Sequence, residues 1–495
     1  MKSDPSNPSR REFLKATTAA TSAAALSPAL LSAAATATQH AQRMIGIQVG
    51  AVSFVDEGTE QVLDIVQERG AVNSLFLAAF TYGRGIAGRQ VPGQPLPDHG
   101  KQEYDVNFHG GDFASPHENF YTETNLKPAK APEFGDYDLL ADVVPKARKR
   151  GMKVFAWYED SFGTTPGADK VREIDLQGRR AGELCALNPD YRECLIGLTS
   201  DFCQSYDLDG VMWGSERQGP LLNAIDGRDG TRVTCFCEFH QQAAKARGID
   251  VQRARDGFTA LGAFIADSRA GRRPNDGYFV EFWRLLLAYP ELLAWEKLWT
   301  DGKHAIYSDV YHAAKKIRRE VQVGFHIWHK NSFSPFFRAE QNYAEFANVA
   351  DFLKIVVYNN CGGPRYADYV KGLASGILRD STPDEALHLN NQWLGYANEA
   401  PLDKLPTVGL SADYVFSETK RALAAVAGTK CKIYPGLDID VPTAAGDKKT
   451  SPADVSAATT AALKAGADGV LFSRKYSEMK LANLSAGGKA VREFA

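Results

Sequence analysis

The chain has 495 residues, with 57 Lys and Arg against 60 Asp and Glu and a formal net charge of −3. At 44% hydrophobic and 24% charged, the composition excludes a disordered chain, a collagen-like repeat and a long coiled coil. The balanced charge lacks the basic stripe of a nucleic-acid protein. No mature apolar run reaches the length of a membrane span, so neither nucleic acid nor a bilayer is an expected partner of the mature chain.

The first motif is Ser9-Arg10-Arg11-Glu12-Phe13-Leu14-Lys15, which matches the twin-arginine export signal S-R-R-x-F-L-K. An Ala-rich stretch follows to Ala37, with small-x-small cleavage candidates at Ala33-Ala34-Ala35 and Ala35-Thr36-Ala37. These residues predict a signal peptide over 1–37, the twin-arginine translocase as a partner during export, and a periplasmic or secreted mature chain. The remainder, 38–495, reads as one catalytic domain.

Eight apolar runs recur in it, each followed by a helical pattern. They are Ile45–Phe54, Val72–Phe80, Lys153–Tyr158, Gly210–Trp213, Val321–Trp328, Phe352–Tyr358, Lys432–Ile439 and Gly469–Phe472. Near-continuous apolar strands need cover on both faces, as in a parallel sheet wrapped by helices. Eight such units predict a single α/β chain folded as a (β/α)8 TIM barrel. Two insertions interrupt it: a Gly/Pro/His/Asn-rich loop at 81–135 after the second strand, and a mostly helical segment at 217–300 after the fourth. Within the latter, Tyr278–Leu287 is amphipathic and reads as core. No G-x-G-x-x-G follows the first strand, so no organic cofactor is expected.

In a barrel, residues just past the strands share one mouth. Here those ends carry Trp157, Glu159 and Asp160 (third), Trp213, Glu216 and Arg217 (fourth), His326, Trp328 and His329 (fifth), Tyr358, Asn359 and Asn360 (sixth), Asp438 and Asp440 (seventh), and Arg474 with Lys475 (eighth). Aromatic faces stack on sugar C–H faces, and amides, His, Arg and carboxylates bind hydroxyls. The expected partner is therefore a carbohydrate and the expected reaction glycoside hydrolysis, which needs two carboxyl groups flanking one bond. Glu216 is the acid/base candidate, Asp438 or Asp440 its partner, with Glu159 or Asp160 as substitutes. Two other readings stay open: a non-catalytic glycan-binding barrel, and a metal-dependent lyase or isomerase with His326, His329 and Asp440 as ligands.

The seven cysteines are odd in number and unevenly spaced, which argues against a disulfide framework and leaves metal binding or unligated, reduced thiols. Around the fourth strand the sequence runs Cys185-Ala186-Leu187-Asn188-Pro189-Asp190-Tyr191-Arg192, then Glu216, then Cys235-Phe236-Cys237-Glu238-Phe239-His240. Over residues 185–240 this resembles glycoside hydrolase family 42, the barrel β-galactosidases. The resemblance implies Glu216 as acid/base and a structural zinc on Cys185, Cys235, Cys237 and His240. Ser215 stands where that family has Asn, His240 where it has Cys, and Asp438 and Asp440 near its strand-seven Glu. Asp209-Gly210 followed by Glu216 is also similar to the D-G…E run of family 18 chitinases, with Met212 and Gly214 at the intervening acidic positions.

Overall fold

In the computed structural model, residues 43–226 and 232–494 are described; the signal-peptide reading over 1–37 lies outside them. Among the described residues twelve strands occur: β1 Met44–Val49, β2 Ser74–Thr81, β3 Gly111–Asp112, β4 Lys153–Glu159, β5 Arg172–Ile174, β6 Arg180–Leu184, β7 Gly210–Gly214, β8 Gln322–Ile327, β9 Phe352–Ile355, β10 Lys432–Ile433, β11 Gly436–Asp438 and β12 Gly469–Ser473. Nine of them pair in the order β10-β9-β8-β7-β4-β2-β1-β12-β11, forming a curled parallel sheet. The ends of this row, β10 and β11, are separated only by Tyr434 and Pro435, and a parallel bridge joins Val356 of the β9 side to Gly436. β3 adds antiparallel to β2, and β5 with β6 forms a separate hairpin.

Strand residues are buried on both faces because helices cover the outside. The helix Thr59–Gly70 turns Val62, Leu63 and Val66 inward, an i, i+1, i+4 stripe, and leaves Glu60 and Glu68 to solvent. The helix Pro452–Lys464 opens with a capping box, Ser451 and Asp454 each bonding the other's backbone. Inside the sheet, Phe76 and Phe155 stack at 4.6 Å, and Phe352 meets both rings edge-on. Gly324 makes room for Phe352: a Cβ there would lie 1.9 Å from the ring.

The helical segment 217–300 contains helices Pro220–Asp226, Glu238–Ala246, Val251–Arg269 and Tyr278–Ala288, then the start of Glu291–Ile317. Tyr278–Ala288 buries Tyr278, Phe282 and Leu286 but exposes Trp283 and Leu287, so only one of its faces is core. The first apolar run is shorter than the sequence suggests: the strand ends at Val49 and Ala51–Glu57 is helix. Among the described residues no helix is long and apolar enough to cross a membrane.

Candidate active site

Strand pleating decides which residues reach the sheet interior. Alternate residues point to one face, and the pairing of β4 with β7 sets Trp157 beside Met212 and Glu159 beside Gly214. Trp157, Glu159, Gly214 and Glu216 therefore share the inner face. A cleft of about 290 Å³ opens there, lined by Gln48, Trp157, Glu159, Asp160, Glu183, Glu216, Arg217, His326, Lys354, Tyr358, Arg365 and Arg474. A neighbouring cleft of about 700 Å³ shares Glu183, Glu216 and Arg217 with it and adds Trp299 and Trp328.

A chain of hydrogen bonds runs across the first cleft. Lys354 Nζ donates to Gln48 Oε1 at 2.7 Å and Tyr358 OH at 3.1 Å, and lies 3.2 Å from His326 Nδ1. An ammonium only donates, so Nδ1 accepts and the imidazole proton sits on Nε2. Nε2 is 2.9 Å from Glu216 Oε1, to which it donates. Gln48 Oε1 also accepts from Ser473 Oγ at 2.7 Å.

The two glutamates are pushed in opposite directions. Glu159 is raised to about 8, by burial first and then by the negative charge of Glu216, against Lys354 and Arg474. Shielding by the cleft walls raises Glu216 as well, but the His326 hydrogen bond and the charges of His326, Arg365 and Lys354 outweigh it and hold its carboxyl below the ordinary range. Its side chain is 53% exposed to the cleft. Burial, with Lys354 nearby, lowers His326, and burial brings Lys354 down to about 7 against the pull of both glutamates. Asp160 is committed elsewhere: Arg217 Nε is 2.6 Å away, Ser215 Oγ donates at 2.7 Å, and Tyr191 OH donates to its other oxygen.

Several residues singled out from the sequence stand away from this cleft. Asp438 is 1% exposed, and its oxygens accept from the backbone N–H of Cys361 at 2.8 Å and Val441 at 3.1 Å. Asp440 accepts from Lys480 N at 2.8 Å and Asn483 Nδ2 at 2.9 Å, fastening the start of the helix Leu481–Phe494. Both carboxylates are thus spent on backbone and helix ends. Trp213 has the opposite pleat parity to Trp157 and packs outward on Tyr307, ring centroids 4.8 Å apart. Asn359 and Asn360 are buried and line neither cleft. His329 is buried between Tyr414 OH, 3.1 Å from Nε2, and Arg365 Nη1, 3.4 Å from Nδ1. His326, His329 and Asp440 consequently do not gather into a ligand set. Lys475 Nζ holds the carbonyls of Gly88 and Arg89, fixing the segment after β2.

Gln48, Lys354 and Arg365 are cleft residues that strand-end reasoning passes over. The first two have a signal: a Gln within IGIQVG and a Lys within FLKIVVY are polar side chains in strands buried on both faces.

One metal-like cluster exists among the described residues. Cys185, Cys235, Cys237 and His240 are all buried, and their ligand atoms lie within 4.8 Å of one another. Cys185 Sγ is 3.4 Å from Cys237 Sγ and 3.3 Å from His240 Nδ1. The hydrogen bonds of Cys185 and Cys235 push the Cys237 thiol far down toward thiolate. Three sulfurs and one imidazole nitrogen converging with no disulfide fit a closed four-coordinate site. The cluster ties β6 to residues 235–240. Glu173 on β5 receives Trp299 Nε1 at 2.9 Å and Thr234 Oγ1 at 2.5 Å, so the same knot walls the larger cleft.

No family model and no curated sequence matches the chain. Solved structures do match it. One is the α-L-fucosidase isoenzyme 2 from Paenibacillus thiaminolyticus, at 13% identity and TM-score 0.50, covering 91% of this chain and 49% of that one. Another is the β-galactosidase from the haloarchaeon Halorubrum lacusprofundi, at 15% identity and TM-score 0.50, covering 91% of this chain and 58% of that one. The chain spans about half the length of these structures. At such identities the likeness shows the fold alone, an α/β fold of the kind found in these glycosidases.

Proposed function

We propose that the chain is a glycoside hydrolase in which Glu159 and Glu216 divide the two carboxyl roles. The observation that carries this reading is the opposite displacement of two carboxyls lining one cleft. Paired carboxyls whose surroundings drive their proton affinities apart are the signature of an acid and a base working together. Glu159, raised to about 8, holds a proton at neutral pH to give to the leaving oxygen. Glu216 is ionised and oriented by His326, and serves as nucleophile or water-activating base. This reverses the role that the sequence alone suggests for Glu216. Trp157 and Tyr358 supply apolar faces for the sugar, and Trp328 extends them into the larger cleft.

On this reading the curled sheet is a closed barrel of eight staves, with β10 and β11 as halves of one stave broken at Tyr434-Pro435. The Cys₃His cluster holds a structural zinc that fixes the cleft wall. The motif Ser9–Lys15 and its Ala-rich sequel support export by the twin-arginine route. Aryl glycosides that differ in leaving-group acidity test the assignment. Glu216→Gln is expected to lose at least about 100-fold on all of them, while Glu159→Gln loses that much only on poor leaving groups. A folded protein that turns over no glycoside in a broad aryl-glycoside panel, yet binds glycans, would be the non-catalytic module instead.

A further inference from the structure

We propose that the cleft selects a sugar bearing an anionic substituent, a carboxylate as in a hexuronic acid or a sulfate ester, through Arg365 with Lys354 beside it. The inference rests on the glycoside-hydrolase reading and names the substrate class of the same site.

Among the described residues, Arg365 and Lys354 lack carboxylate partners in the cleft. The other cleft cations have carboxylate partners: Arg217 has Asp160 at 2.6 Å, and Arg474 Nε has Glu478 at 3.1 Å. Glu216 is engaged by His326. Among the described residues, neither Arg365 nor Lys354 has a carboxylate within ion-pair distance. Lys354 is fully buried and bonded only to neutral groups, Gln48, Tyr358 and His326. Asp438, whose charge reaches Arg365 through space, has its oxygens on the backbone amides of Cys361 and Val441. Glu183 stands exposed on the rim.

Arg365 also has donors to spare. A guanidinium carries five N–H groups in a planar fork. The side chain of Arg365 makes one hydrogen bond to a described residue, from Nη1 to His329 Nδ1 at 3.4 Å. That imidazole is itself held by Tyr414, so the contact anchors the guanidinium from behind. The remaining donors face a cleft that holds Glu216 and Glu159. Glu216 and Asp438 meet its charge only through space, without a hydrogen bond, so the fork's donors stay open to the cleft. A ligand carboxylate or sulfate supplies the missing partner, and its two oxygens match the fork. Because the cleft containing Arg365 also contains the reacting carboxyls, the anion belongs to the sugar whose bond is cleaved, rather than to a distant residue of the chain.

Calorimetric titration of the intact protein with D-glucuronate, D-galacturonate, glucose 6-sulfate, and their neutral parents glucose and galactose tests this directly. At least one anionic sugar is expected to bind at least about tenfold more tightly than its parent. Arg365→Met is expected to abolish that preference while leaving the melting temperature little changed. Arg365→Lys keeps charge but not the fork and restores the preference only in part. Preference for uronates over the sulfate, or the reverse, identifies which anion is read. Anionic sugars that bind no more tightly than their parents, or a preference that survives Arg365→Met, overturn the proposal. Turnover of neutral aryl glycosides by a protein without anion preference would overturn this inference alone. Failure of the catalytic reading shows separately, as activity unaffected by Glu216→Gln.

Discussion

His326 Nε2 lies 2.9 Å from Glu216 Oε1, and its other ring nitrogen is 3.2 Å from Lys354 Nζ, so the imidazole is presented to the carboxylate with its proton in place. This contact is the largest influence drawing the Glu216 carboxyl down against the opposing effect of its shielding. Removing it lets the opposing effect win. On the proposed mechanism Glu216 acts as a carboxylate, so activity is expected to be lost as pH falls through its proton affinity. His326→Ala is therefore expected to move the acid limb of the kcat/KM profile upward. A limb that stays in place would mean that His326 does not govern Glu216.

On the proposed mechanism the basic limb belongs to Glu159. Its carboxyl must be protonated to donate, and burial with the Glu216 charge has raised it to about 8. Activity on substrates with poor leaving groups is expected to fall as pH rises through that value. Glu159→Gln, assayed on an activated aryl glycoside, is expected to show a flat profile across the same range. A basic limb that persists in this variant would assign it to another group, with Lys354 the next in line.

Asp438 distinguishes a structural acid from a chemical one. Two backbone amides point at its carboxylate, and a neutral amide side chain would still accept one of those bonds. Asp438→Asn is expected to cost about 1–3 kcal/mol in unfolding free energy, with kcat reduced by less than about tenfold. A loss beyond about 100-fold with the melting temperature unchanged would return Asp438 to the chemistry.

What was legible in the sequence follows the range of the forces involved. The strands β2, β4, β7, β8 and β12 stand out because apolar runs buried on both faces are a local signal. Glu159, Glu216 and His326 reach the cleft because they follow or end such strands on the inner parity; on β12 the inner parity falls on Ser473, which bonds Gln48, and Arg474 lines the cleft from the segment just past the strand. Trp213 fails for the same reason: one residue from Gly214, it faces the helix layer, and parity relative to the neighbouring strand is set by register rather than by sequence. Asp438 and Asp440 fail because their partners are backbone amides at Cys361, Val441 and Lys480, which only folding brings to them. Lys354 and Gln48 were visible as polar breaks in apolar strands. Their mutual bond links residues 306 apart in the chain, a pairing no local pattern contains. The long helix Glu291–Ile317 shows only its second half as a clear helical pattern, since its first half, with Trp295 and Trp299, is buried by the cysteine cluster and its surroundings.

The cysteine cluster makes a stability prediction. If Cys185, Cys235, Cys237 and His240 hold one zinc, its removal leaves the 235–240 segment tied to β6 only by ordinary packing. Elemental analysis is expected to find about one zinc per chain, lost in Cys185→Ala, with a loss of about 3 kcal/mol or more in stability. Activity should fall along with order in the larger cleft, because Glu173, Thr234 and Trp299 belong to both. A metal-free protein whose melting temperature is unchanged by strong chelators would leave the four residues as reduced, packed side chains.

The sheet interior supports the cleft from below. Gly324 lies on β8 against the Phe352 ring, and a Cβ there would sit 1.9 Å from a ring carbon. Phe352 cannot retreat easily, since Phe155 and Phe76 hold it at centroid distances of 5.6 and 6.0 Å. Gly324→Ala is expected to destabilise by about 1–3 kcal/mol through overpacking. Because Lys354 follows Phe352 by two residues on the same strand face, the displaced ring should also disturb the Lys354–His326 contact, so kcat should fall with stability. Gly262 provides the contrast. It lies in the helix Val251–Arg269 with nothing within 4 Å of an added Cβ, so Gly262→Ala should stabilise by about 0.5–1 kcal/mol and leave kcat unchanged. Equal responses at the two sites, measured by denaturant unfolding, would show that the Phe76–Phe155–Phe352 cluster does not constrain the mouth of the cleft.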